Sequence, residues 1–387
     1  MKARLKLIQY VGFIAVGIIA NIIGPMLPSI RADLHINYSQ AGMLLSGQFV
    51  GMLLTALIGG QLMDKFGPKP FLLTGGAILL AGLIGSMTAG SFVLLYTLNL
   101  LTGLGFGIYE VGINALCADN SEENKGGDMG FLHFFYGAGA ISGPILAAAS
   151  IKYLNSWRIC FGISAILPLL VTLLLLTSKS SALRISKPVE AVKGNTNANP
   201  LKSMFVWAVG LTGLFYVGIE TVTGGWIPEF WKSNAASSLI PAALVPSIFW
   251  GCLTLGRLFA GRLADRMGLM KYLLSAAGVT LVLAALWNLV SFDIGILALV
   301  SLLGFALSGQ YPTLMAMVTA SFPGRTGTTS AFLTAAAGVS GFILPTLVGK
   351  AADMFGIGVM PIMILIYSFF LVFFMSMMNY TLKKLKA

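Results

Sequence analysis

The chain has 387 residues, of which 57% are apolar, 46 are glycine and only 10% are charged, whereas a soluble domain carries about 25% charged residues. So few charges cannot solvate a surface of this size, which excludes an ordinary soluble enzyme and points to a protein embedded in lipid. The net charge of +11 leaves a nucleic-acid partner to be weighed against insertion topology.

A helix needs about 20 apolar residues to cross the hydrocarbon core. Hydropathy places twelve such spans, at 7–30, 39–62, 71–90, 92–117, 129–150, 158–178, 204–230, 240–262, 271–290, 294–318, 328–349 and 359–380. The first follows Met1-Lys-Ala-Arg-Leu-Lys. Its apolar run is longer than a signal core and has no small-residue cleavage site, so it reads as a span rather than a leader. With both termini in the cytoplasm, all 24 Lys and Arg except Arg31, Lys152, Arg158, Lys232 and Lys350 fall on the inner side. Arg257, near the end of the eighth span, is assigned to the inner side with the rest. This is the positive-inside rule, and it accounts for the basic balance without nucleic acid.

In chain order, the first span carries Asn21 before Gly24-Pro25, and the second carries Gln48. Between spans two and three stands Gly60-Gln-Leu-Met-Asp64-Lys65-Phe-Gly67-Pro-Lys69-Pro70. The fourth span has a stripe of Asn99, Gly103, Phe106, Glu110 and Asn114 at steps of three and four, which share one helix face. A carboxyl on that face points into the bundle and is a candidate proton carrier, because an acid inside a span is costly and usually functional. The fifth span contains His133 and Tyr136 on one side, followed by Gly137-Ala-Gly139-Ala-Ile-Ser-Gly143-Pro144. Trp157-Arg158 opens the sixth. The polar stretch 179–203 reads as a flexible cytoplasmic linker between a first bundle, 1–178, and a second, 204–387.

The seventh span holds Tyr216, Glu220, Thr223, Gly224-Gly225 and Trp226. Its paired glycines are expected to break the helix beside a cavity, and Trp226 reads either as an interface-belt tryptophan or as a stacking platform. Between spans eight and nine comes Gly261-Arg262-Leu-Ala-Asp265-Arg266-Met-Gly268-Leu-Met-Lys271, which repeats the earlier loop as G-x-L-x-D-[KR]-x-G about half a chain later. In both copies the first glycine, Gly60 or Gly261, is expected to let two helices approach, and the aspartate to accept from a helix N-terminus. Gln310 and Tyr311 lie in the tenth span. Asp33, Asp64, Asp119, Glu122, Glu123, Asp128, Glu190, Glu229, Asp265, Asp293 and Asp353 are assigned to loops or span ends, which leaves Glu110 and Glu220 inside spans. Cys117, Cys160 and Cys252 have no pairing or metal-ligand spacing, so no metal or cofactor is expected. No nucleophile–base pair, Walker loop or dinucleotide fingerprint occurs, and the chain does not read as an enzyme.

The duplicated loop resembles the signature of the major facilitator superfamily over the whole chain, and the Gly-Pro segment of span five and Trp157-Arg158 fit it. The resemblance implies an all-α membrane protein of the major facilitator fold: twelve transmembrane helices in two pseudo-symmetric six-helix bundles around a central cavity. One departure is that Asn99 and Thr102 stand where the family often has Arg and Gln. Within the family, Glu110-Val-Gly-Ile-Asn114, Leu132-His133-Phe-Phe-Tyr136-Gly137-Ala-Gly139-Ala and Tyr216-Val-Gly-Ile-Glu220 are similar to the fucose-permease-like branch. That resemblance implies proton-coupled uptake of a sugar or sugar-like compound with Glu110 as proton carrier. The first span has no acid near Asn21, unlike the fucose permease itself, which leaves fucose as solute and the stoichiometry open.

The expected proton-coupling groups are Glu110, Glu220 and His133. The expected solute-binding groups are Asn21, Gln48, Glu110, Asn114, His133, Tyr136, Tyr216, Glu220, Trp226, Gln310 and Tyr311, since hydroxyls need hydrogen-bonding partners and aromatic faces. The expected gating loops comprise Gly60, Asp64, Lys65 and Gly67 with Gly261, Asp265, Arg266 and Gly268. The expected setting is a monomer in the plasma membrane. The alternative within transport is a proton-driven exporter of hydrophobic compounds.

Overall fold

The computed structural model describes residues 2–120, 125–178, 200–234, 240–322 and 325–386, and among these every regular element is helical. Twelve stretches are long and apolar enough to cross a membrane. The polar linker expected at 179–203 lies outside the described residues up to position 199. Contacts divide the chain into two compact units. One comprises Met1–Lys187 with Ile240–Ser247, the other Pro188–Leu239 with Ile248–Ala387.

The first unit contains α1 (Lys2–Asn21), α2 (Ile23–Leu34), α3 (Tyr38–Phe66), α4 (Pro68–Ser86), α5 (Phe92–Asn120), α6 (Lys125–Leu154), α7 (Trp157–Ser164) and α8 (Ile166–Leu176). Two spans are broken helices. In the first, Pro25 has no N–H to give to the Asn21 carbonyl, so the ladder lapses at Ile22 and α2 starts at Ile23. In the sixth, Pro168 sits just beyond the break at Ala165. The helices approach through glycine. A Cβ at Gly51 would collide with the Leu100 carbonyl oxygen, one at Gly103 with that of Gln48, and one at Gly139 with that of Ile14. Thus α3 packs on α5, and α6 on α1, at distances that larger side chains forbid.

The ends of the spans are tied by charge. Arg158 pairs with Asp33 at 2.7 Å and donates to the Ala89 carbonyl at 2.8 and 3.1 Å, while the Trp157 indole donates to Asp33. The Trp-Arg dipeptide therefore joins the end of α2 to the turn after α4. At the opposite end, Lys69 donates to the Ser178 carbonyl at 2.6 Å, and Arg4 donates to Thr177 and to the Leu174 carbonyl. Two cations thus satisfy the carbonyl end of α8, where the helix dipole favours them.

The second unit contains α9 (Met204–Asn234), α10 (Val245–Met267) from Ile248 onward, α11 (Leu269–Trp287), α12 (Asp293–Leu307), α13 (Gln310–Ser321), α14 (Thr326–Phe355) and α15 (Met360–Lys386). The tenth span is α12 and α13, divided at Ser308-Gly309. Contrary to expectation, Gly224-Gly225 does not break the seventh span, since α9 runs through both residues. Gly224 instead lies against the Trp250 indole, 3.0 Å from where a Cβ would be, so this glycine serves close approach.

The two copies of the loop fold alike. Gly67 has φ 86° and Gly268 φ 83°, and each joins one span to the next without an intervening residue. That region of backbone space belongs to glycine. The close-approach role expected of Gly60 and Gly261 is not found, as a Cβ at either would meet nothing within 4 Å. Asp64 and Asp265 are exposed.

Candidate functional site

In the first unit, the chemistry-bearing residues fall on α1, α3, α5 and α6. Gln48 is buried on α3 and donates through Nε2 to the Ala20 carbonyl at 3.0 Å, beside the break in the first span. Its Oε1 is buried with no hydrogen-bond partner. Asn21 spends its amide on the Gly17 carbonyl of its own helix.

On α5 the stripe divides by environment. Asn99 donates to the Leu44 carbonyl at 2.6 Å and Gly103 packs on Gln48, so this half of the stripe is a seam with α3. Farther along, Glu110 is half-buried, and no hydrogen bond or ion pair joins its carboxyl to any described residue. One turn on, Asn114 leaves Oδ1 buried and unpartnered. His133 is exposed and presents an edge to the Phe13 ring at 5.4 Å. Tyr136 is half-buried on the same helix.

The second unit gathers its polar groups more tightly. Glu220 on α9 faces Arg257 on α10, with Oε1 and a guanidinium nitrogen 3.8 Å apart and side-chain exposures of 13% and 29%. This is charge attraction beyond hydrogen-bond length. The Tyr216 hydroxyl lies beside both groups, and its ring stacks on Tyr311 at 5.8 Å. Thr223 and Gly224 continue this face of α9, while Trp250 and Thr254 precede Arg257 on α10 at the same helical spacing. Arg257 is thus no inner-loop cation. It stands inside a span, ten residues before the end of its helix at Met267. Its position inside the apolar run 240–262, one turn from the end, is the only signal the sequence offers. Trp250 and Thr254 carried none, because a tryptophan and a threonine in a span are ordinary.

Two other expected residues are structural ties in this conformation. Trp226 is 0% exposed and donates to the Pro345 carbonyl of α14 at 3.1 Å, so its ring presents no free face. Gln310 is also 0% exposed. It donates to Thr280 at 3.1 Å and to the Ala306 carbonyl at 2.9 Å, joining α13 to α11 and to the end of α12. Glu229, assigned to a span end, lies within α9 at 5% exposure, and Asp293 at the start of α12 is buried too. Among the described residues no cluster of three or more His, Cys, Asp or Glu could hold a metal ion.

The family model for the Major Facilitator Superfamily matches residues 10–345. The sodium-dependent glucose transporter 1 of Danio rerio is 24% identical over 373 residues, covering 87% of this chain and 62% of that protein. The chain therefore spans about three fifths of that relative's length. Among solved structures, a D-xylose-proton symporter superposes with a TM-score of 0.75 at 17% identity, over 95% of this chain and 96% of the other. A nucleoside transporter does so with a TM-score of 0.78 at 16% identity, over 97% and 99%. At these identities the structural likeness establishes the fold.

Proposed function

Because the chain belongs to the Major Facilitator Superfamily, a family of membrane transporters, we propose that it is a secondary active transporter moving a small polar solute, a sugar or sugar-like compound, together with protons by alternating access. The observation that carries the proton step is Glu110: a half-buried carboxyl inside a span with no charge or hydrogen-bond partner among the described residues. Burying such a group costs free energy that a packing role does not repay, since nothing is tied by it. In the cycle, Glu110 takes a proton from outside, the solute binds, and the proton leaves to the cytoplasm. Glu220, Tyr216 and Tyr311 supply an acceptor, a hydroxyl and an aromatic face suited to a hydroxylated solute.

The printed functions of a glucose transporter and a xylose-proton symporter among the similar proteins support a sugar-like solute. The remainder of the reading follows the charge map: both termini in the cytoplasm, a plasma-membrane location, bundles at 1–178 and 204–387 joined by 179–203, and the Gly67 and Gly268 loops as cytoplasmic gates.

The test is uptake into proteoliposomes from a panel of labelled sugars and polyols. An imposed inward proton gradient is predicted to drive accumulation that an uncoupler abolishes. Accumulation driven by sodium alone would reassign the coupling ion. Efflux of hydrophobic drugs with no sugar uptake would overturn the reading.

A further inference from the structure

The facing stripes of α9 and α10 contain four buried polar atoms without a hydrogen-bond partner, Thr223 Oγ1, Trp250 Nε1, Thr254 Oγ1 and Arg257 Nε, and the Tyr216 hydroxyl lies beside Glu220 and Arg257. Unsatisfied groups of this kind are few in a native interior, and each needs a reason. Here all four lie on the two helices that carry one ion pair, Glu220–Arg257, with Thr223 one turn beyond Glu220 and Thr254 one turn before Arg257, and the pair's 3.8 Å separation leaves the guanidinium N–H groups unspent on the carboxylate. The indole and guanidinium can only donate, the three hydroxyls can donate or accept, and the carboxylate can only accept. The set is therefore incomplete as a packing motif and complete as a receptor for groups that both donate and accept.

The charges add a constraint. Glu220 and Arg257 cancel, so a solute reaching this face meets no net charge. An anionic solute satisfying the donors would sit against Glu220, and a cationic one satisfying Glu220 would sit against Arg257. In a partly desolvated site both arrangements are penalised. A neutral hydroxyl can donate to Glu220 and accept from Arg257 or Trp250 without upsetting either.

We propose that Arg257 is a specificity-determining residue, which by balancing Glu220 keeps the α9–α10 face neutral and so excludes charged solutes. The proposal rests on the transport reading above and adds to it a residue, a subsite and a selection rule.

The experiment is titration calorimetry on the purified full-length protein with two matched sets, glucose, glucuronate and glucosamine, and galactose, galacturonate and galactosamine. Wild type is expected to bind the neutral member of a set at least tenfold more tightly than its charged counterparts. Glu220→Gln leaves a net positive face and should move the preference to the uronate. Arg257→Gln leaves a net negative face and should move it to the amino sugar. The double variant should return to the neutral sugar with weaker binding, and it serves if a single variant fails to fold. Wild-type binding of a charged member as tight as the neutral one, or single variants that keep the wild-type order, overturns the charge filter and leaves the transport reading standing. Silence of both sets in wild type overturns the sugar-like solute itself, and the filter with it.

Discussion

Gly60 and Gly67 belong to one loop motif, yet only at Gly67 does the backbone require glycine, and substitution separates them. Gly67 at φ 86° and ψ 160° occupies backbone space that a Cβ makes costly. Gly67→Ala is expected to destabilise by about 1–3 kcal/mol, and Gly268→Ala similarly. Gly60 is an exposed helical residue with open space around its Cα, so Gly60→Ala should be neutral or gain about 0.5–1 kcal/mol from helix propensity. Thermal denaturation of the three variants in one detergent checks the contrast, and equal losses at Gly60 and Gly67 would contradict it. Sequence pattern alone could not distinguish the two glycines, because a repeated motif reports that a residue is needed and not which backbone angle needs it. Glu110 shows the converse. Its depth in an apolar run was legible from sequence, while its lack of a partner required the neighbouring helices.

Among elements, the end of α2 and the turn after α4 are held by one side chain. Arg158 supplies both an ion pair to Asp33 and two hydrogen bonds to Ala89. Asp33→Asn removes only the partly exposed pair, which is worth about 0–1 kcal/mol after solvent screening. Arg158→Ala also strips the Ala89 carbonyl and should cost on the order of 1 kcal/mol more. A melting series in which Asp33→Asn is the more damaging of the two would refute this assignment. The spans themselves were readable because hydropathy and length decide whether a helix can cross lipid. The helix ends were less so: the second span runs on to Phe66 and the tenth to Ser321, since amphipathic and charged turns extend a helix beyond its apolar core. The seventh span was misread at Gly224-Gly225 for a related reason. Glycine weakens a helix in water, but in lipid the backbone has no better partner than its own ladder, and Gly224 packs against Trp250. Arg257 was misplaced because a charge near the end of an apolar run looks like a loop residue until its partner on another helix is known.

For the whole molecule, six spans in each unit and the distribution of Lys and Arg set the topology that function depends on. With Cys117, Cys160 and Cys252 replaced by serine or alanine, a single cysteine is introduced at exposed Lys65 or exposed Ser91. A membrane-impermeant maleimide applied to intact cells should label Ser91→Cys, and should label Lys65→Cys only after permeabilisation. The reverse pattern would invert the orientation and with it the direction of the proton step.

The most direct measurement of that step compares wild type with Glu110→Gln in proteoliposomes preloaded with a solute that wild type transports. The amide keeps the size and polarity of the side chain and cannot carry a proton. Exchange of labelled for unlabelled solute is predicted to continue, because the path and the binding groups are intact, while accumulation against a solute gradient under an imposed proton gradient is lost. A Glu110→Gln protein that still concentrates solute with the proton gradient as its only driving force would contradict the account.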